Sequence, residues 1–119
     1  MTTELGPLVR SFFEDYLKVQ KGLRPTSIRS YRDAVRLFLR FLVLDTKRKI
    51  SQLSVDDLSF DHVQRFLRYL EETRGNRVCT RNQRRAVLQE FFGYLASRRP
   101  ELLQACQQIA LIPVKRTRP

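Results

Sequence analysis

Few residues in this chain could do covalent chemistry. His62 and Arg65, in "HVQR", show the His-x-x-Arg spacing of some DNA-cleaving enzymes. Nucleophilic catalysis needs a nucleophile, a base and an orienting group brought together. His62 is the single histidine and stands at the start of an amphipathic stretch whose Val63 and Phe66 belong to an apolar stripe. It reads as a capping or solvated side chain, and the spacing as coincidence. Tyr16, Tyr31 and Tyr94 lie on or beside apolar stripes, where packing is their default role, and Tyr69 adjoins Leu70 at the edge of its own stripe. Cys79 and Cys106 are too few and too far apart for a disulfide framework or a zinc site. Cys106 reads as a small core residue and Cys79 as a residue at a helix start. With no glycine-rich phosphate loop either, the expectation is a non-enzymatic chain without cofactor or metal.

The residue types that do recur are suited to phosphate. In "RPTSIRSYRDAVRLFLRFL", Arg29, Arg32, Arg36 and Arg40 share an arc of about 80° on a helical wheel, apart from an apolar stripe of Ile28, Tyr31, Val35, Phe38 and Leu42. The chain carries 23 Lys plus Arg against 12 Asp plus Glu, a formal charge of +11. Such a surplus is the electrostatic footprint of a nucleic-acid binder, because each phosphate neutralised releases condensed counterions. The cations are unevenly spread. Between Arg24 and Lys49 only Asp33 and Asp45 oppose them, while carboxylates gather at Glu14 and Asp15, at Asp56, Asp57 and Asp61, and at Glu71 and Glu72. One electropositive side is expected.

Helices must carry these groups. Apolar residues recur at helical spacing over about 5–20, from Pro25 to near Leu44, after a cap at Ser59 or Asp57 until Gly75, and from about Cys79 to Arg99. Pro100 opens a short fifth helix, and Leu37 and Phe41, outside the main stripe of the second helix, suggest that it is central and packed on two sides. At 119 residues and 42% hydrophobic content the chain supports one small core. The predicted fold is all-α, a compact bundle of four main helices plus the short fifth, with a domain over 1–112 and the start of a linker over 113–119. No segment is apolar enough to span a membrane, and the first residues lack a signal-peptide layout, so a soluble, cytoplasmic protein is expected.

Three stretches together carry a resemblance: "LRPTSIRSYRDAVRLFLRFL", then "SVDDLSFDHVQRFLRYLEETRGNRVCTRNQRRAVLQEFFGYLASRRPE", then "IPVKR". Their order resembles the core-binding, SAM-like N-terminal domain of the tyrosine recombinase and phage integrase family, over residues 7–118. The resemblance implies a domain that clamps one face of a duplex recombination site while a separate C-terminal catalytic domain cuts through a tyrosine. It implies assembly of recombinase oligomers on DNA, a bacterial or phage-derived, nucleoid-associated setting, and second and fourth helices that face the duplex. Arg24 departs from the family's habit of a serine-like cap before the proline.

Joined to the arginine row, this makes Thr26, Ser27, Arg29, Ser30, Arg32 and Arg36 the expected DNA contacts on the second helix, with Arg40 further along. Thr80, Arg81, Asn82, Arg84 and Arg85 are the expected contacts at the start of the fourth. Hydroxyls and N–H groups at both helix starts suit phosphate oxygens. Arg84 points toward the core stripe, so its stem is expected to pack there. Lys115, Arg116 and Arg118 should add a mobile, sequence-independent grip. Two alternatives stand beside this reading. One is a helical protein-interaction domain whose basic face meets an acidic partner. The other, a single-strand or RNA binder, needs exposed aromatics, and the phenylalanines follow core periodicity instead.

Overall fold

The computed structural model describes residues 5–116, and within them the fold is all-α without strands. Helix α1 covers Leu5–Ser11 and continues, more widely wound, through Phe12–Gln20. Helix α2 covers Pro25–Thr46, α3 Phe60–Glu72, α4 Val78–Arg98 and α5 Leu103–Ala110. Short 3-10 turns at Ile50–Gln52 and Val55–Asp57 connect α2 to α3, and another at Pro100–Leu102 leads into α5.

Punctuation in the sequence sets these limits. Pro25 occupies the first turn of α2, where its missing N–H costs nothing. Ser59 caps α3, its side chain accepting from the His62 N–H at 3.1 Å. Asp57, the other candidate cap, is buried and accepts instead from the Ser54 N–H at 2.9 Å and the Arg48 guanidinium at 3.2 Å. The extended first helix and α3 end alike. Gly22 and Gly75 adopt positive φ of 59° and 67°, and the next N–H returns into the helix, Leu23 to Leu17 O at 3.0 Å and Asn76 to Leu70 O at 2.8 Å. Helix α2 runs two residues past Leu44 and stops at Lys47, a non-glycine residue at φ 59°.

The core is one cluster. Phe38 lies against Phe66 and Phe92, Phe12 against Phe91, and Phe41 against Phe66 and Tyr69. Helix α2 does pack on two sides, against the first helix and against α3 and α4. The hub, however, is α4, which touches the extended first helix, α2, α3 and α5. Its second half supplies Val87, Leu88, Phe91, Phe92 and Leu95 to the core, which leaves its arginine-rich first half free for polar work.

Candidate nucleic-acid interface

The first turns of α2 and α4 meet at one cleft, lined by Thr26, Arg29, Ser30 and Asp33 from α2 and by Cys79, Thr80, Gln83 and Arg84 from α4. Gln83 Nε2 donates to Ser30 Oγ at 3.1 Å across the two helices. The residues preceding these helices are Arg24 and Arg77, both in extended conformation and both without a side-chain cap. An arginine carries no acceptor, so neither can satisfy the first N–H groups of its helix as Ser59 does for α3. The two helix starts thus offer donors and partial positive charge without a capping acceptor from either residue.

The arginine row beside the cleft has the same character. Arg29, Arg32, Arg36 and Arg40 are exposed, and among the described residues none has a hydrogen-bond or ion-pair partner. The carboxylates pair elsewhere: Glu14 with Lys18, Asp57 with Arg48, Asp45 and Asp61 with Arg65, Glu71 with Arg81 and Lys115, and Glu90 with Lys21. Among the described residues, only Asp33 brings a carboxylate to the cleft itself. Cations left unpaired on one helix face create the electropositive side that phosphate requires.

The structure divides the expected site residues into two groups. Thr26, Arg29, Ser30, Thr80 and Arg84 line the cleft, with Ser27 half-buried nearby on α2 and Arg32 and Arg36 exposed further along. The Arg84 Nε is enclosed, with no hydrogen-bond partner among the described residues, and Nη1 reaches Gln83 Oε1 at 3.3 Å.

Arg81, Asn82 and Arg85 face a different way. Arg81 has only 12% of its side chain exposed, donates to Asn82 Oδ1 at 2.9 Å and to Pro113 O at 3.0 Å, and lies 3.7 Å from Glu71. Burial draws its guanidinium below the ordinary value, Glu71 opposes this and Arg85 adds to it. Arg85 Nε donates to Ile112 O at 2.6 Å. Lys115, expected on a mobile tail, exchanges two backbone hydrogen bonds with Asn82, and its Nζ donates to Glu71 at 2.8 Å. Arg116 is exposed, and Arg118 lies outside the described residues.

Sequence reasoning missed Gln83, Cys79 and Asp33 as cleft-lining residues. Ser30 and Gln83 are 53 positions apart, and no local pattern announces that they touch. Arg77 had a legible signal, the same cap anomaly as Arg24. The remaining polar groups of interest do structural work. His62 lies between Ser59 Oγ, 3.0 Å from Nδ1, and Asp45, 3.4 Å from Nε2. Arg65 binds Asp45 and Asp61. Glu90 accepts from the Tyr31 hydroxyl at 2.8 Å, the Tyr16 hydroxyl at 3.2 Å and the Lys21 ammonium. Among the described residues no group of His, Cys, Asp and Glu could hold a metal, and no helix is long and apolar enough to cross a membrane.

Comparison with known proteins adds an independent line. A family model described as "Phage integrase, N-terminal SAM-like domain" matches residues 11–99. Two proteins of Sinorhizobium fredii (strain NBRC 101917 / NGR234) are similar over 112 residues, 94% of this chain. One, named "Putative integrase/recombinase y4rD", is 36% identical, and the other, "Putative integrase/recombinase y4rC", is 35% identical. The chain spans 40% and 34% of their respective lengths. No solved structure matches it.

Proposed function

Because this chain belongs to the phage integrase N-terminal SAM-like domain family, we propose that it is a duplex-DNA-binding arm that positions a recombination site for a separate catalytic domain. The observation that carries this reading is the meeting of two helix starts beside a row of unpaired arginines. A phosphate at the cleft would meet first-turn N–H groups, the hydroxyls of Thr26, Ser30 and Thr80, and the guanidinium of Arg29. Ser27, Arg32 and Arg36 extend the grip along α2, Arg84 lies behind Gln83, and Arg116 adds charge from the exit segment. Most of these contacts fix register on the backbone, and base-edge contacts are few. In this reading the nucleophile belongs to the separate catalytic domain. Strand cleavage, the oligomer on DNA and a cytoplasmic, nucleoid-associated setting belong to the same proposal, for the longer protein.

The alternative is an acidic protein partner on the same basic face. The two readings separate in a titration with random-sequence duplex at low salt, followed by amide shifts. DNA binding predicts a mobility shift in the micromolar range, weakening steeply with salt, and shifts at residues 26–32 and at Cys79, Thr80, Gln83 and Arg84. No mobility shift at tens of micromolar protein, or shifts confined to α3, would favour the protein partner.

A further inference from the structure

One face of α4 is devoted to a partner inside the chain. Arg81, Asn82, Arg85 and Gln89 fall within about 100° of the helix circumference, a sector distinct from the one that carries Cys79 and Gln83 to the cleft. All four side chains donate to main-chain oxygen, Gln89 to the last turn of α5 and the other three to the segment that follows it. Gln89 Nε2 reaches Ile109 O at 3.1 Å and Ala110 O at 3.3 Å, Arg85 reaches Ile112 O at 2.6 Å, and Arg81 reaches Pro113 O at 3.0 Å. Asn82 closes the series by donating to Lys115 O at 2.8 Å and accepting from the Lys115 N–H at 2.9 Å. A side-chain amide bound this way satisfies both main-chain groups of Lys115 without a backbone partner.

The segment has its own reasons to lie there. Pro113 cannot continue a helix, and the Ile112 side chain, 7% exposed, anchors the segment in the core two residues after α5 ends. Glu71 on α3 then holds both the Arg81 guanidinium and the Lys115 ammonium.

We propose that α4 carries a main-chain-reading clamp, centred on Asn82 with Arg81 and Arg85, that sets the direction in which the chain leaves the bundle. Asn82 is therefore a positioning residue for whatever domain continues the chain. The cleft grips the duplex on one side of α4 while the clamp aims the exit on another, so the two are held at a fixed angle by one rigid helix. The clamp reads carbonyl and N–H groups, so it depends on the course of the main chain at 112–115 more than on the exposed side chains of Pro113 and Val114. The clamp's contacts are complete without DNA, while its role in aiming a following domain relative to the duplex rests on the proposed function.

Amide hydrogen exchange and a spin label test it in the 119-residue chain. The Lys115 amide should be protected in the native chain, and Asn82→Ala should lower that protection about tenfold while core amides of α4 keep theirs. Asn82→Asp, which keeps the acceptor and loses the donor, should retain part of the Lys115 protection. A nitroxide at Arg116→Cys, with Cys79 and Cys106 changed to Ser, should broaden amides on one side only, around Glu71 and Arg81. Asn82→Ala should spread and weaken that pattern. The proposal is overturned if the native Lys115 amide exchanges as an open chain, if Asn82→Ala leaves both readouts unmoved, or if duplex DNA itself strips the Lys115 protection. The last outcome would assign Arg81, Asn82 and Arg85 to the duplex, whereas failure of the chain to bind DNA would leave the exchange result intact.

Discussion

Ser30 Oγ and Gln83 Nε2 lie 3.1 Å apart, and this one hydrogen bond ties the start of α2 to the start of α4 inside the cleft they line. It fixes the spacing of two donor-rich helix ends, so it should matter for geometry as well as stability. Ser30→Ala should cost about 0.5–1.5 kcal/mol in urea melts. The same variant should weaken duplex binding more than the loss of one hydroxyl contact explains. Unchanged stability and affinity together would mean that the bond does not set the cleft.

Arg29 and Arg32 separate electrostatics from folding. Both are exposed and without partners among the described residues, so their replacement by Ala should leave the melting temperature nearly unchanged. Duplex affinity should fall, with the log-affinity against log-salt slope flattening by about one unit per lost phosphate contact. Arg81→Ala should behave in the opposite way, costing about 1–2 kcal/mol of stability because Glu71 and Pro113 O lose a half-buried charged donor. Equal stability losses for all three replacements would contradict the contrast between the unpaired arginine row of α2 and the bonded Arg81 of α4.

Cys79 is a reporter already in place. Its thiol is free and exposed on the cleft, while Cys106 is half-buried and lies outside it. Saturating duplex should slow iodoacetamide labelling of Cys79 and leave Cys106 at its own rate, as read by peptide mass. Labelling of Cys79 at an undiminished rate in the complex would remove the cleft from the interface.

Glu90 predicts an acid-side stability loss. Burial pushes its carboxyl up, but hydrogen bonds from Lys21 and Tyr31, the Lys21 charge and the Tyr16 hydroxyl together outweigh it, and the net shift is downward. A depressed folded value means the unfolded chain binds the proton more readily. The contribution is therefore full above the ordinary carboxylate range, near pH 4–5, and disappears as pH falls through the folded value. Glu90→Gln should be less stable than the native chain at pH 7, with the gap narrowing on acidification. A gap that is constant with pH would assign the cost to packing alone.

Phe38 and Phe91 have no exposed surface and sit at the crossing of α2, α3, α4 and the first helix. Truncating either to Ala should cost about 3–5 kcal/mol, a large part of what holds a small domain together. Losses below about 1 kcal/mol for both would contradict the observed helix phases.

Local physics was readable without coordinates. Helical spacing of Phe38, Phe66 and Phe91 marked the buried faces, Pro25, Ser59 and Gly75 marked helix limits, and four arginines within a dozen positions could be placed on one face by arithmetic alone. All of these depend on neighbours within a turn or two, where backbone geometry is fixed in advance. Which polar face of α4 meets what could not be read this way. Ser30 meets Gln83 across 53 positions, and Asn82 meets Lys115 across 33. Sequence groups Arg81, Asn82 and Arg85 with the other expected phosphate contacts, because charge and position on one helix do not distinguish a side chain turned to solvent from one bonded to a carbonyl. The packing of α5 and Ile112 against α4 made that distinction. It brought the main chain of Ile112–Lys115 alongside one sector of α4, where arginine and asparagine donate to carbonyls that no helix pairs.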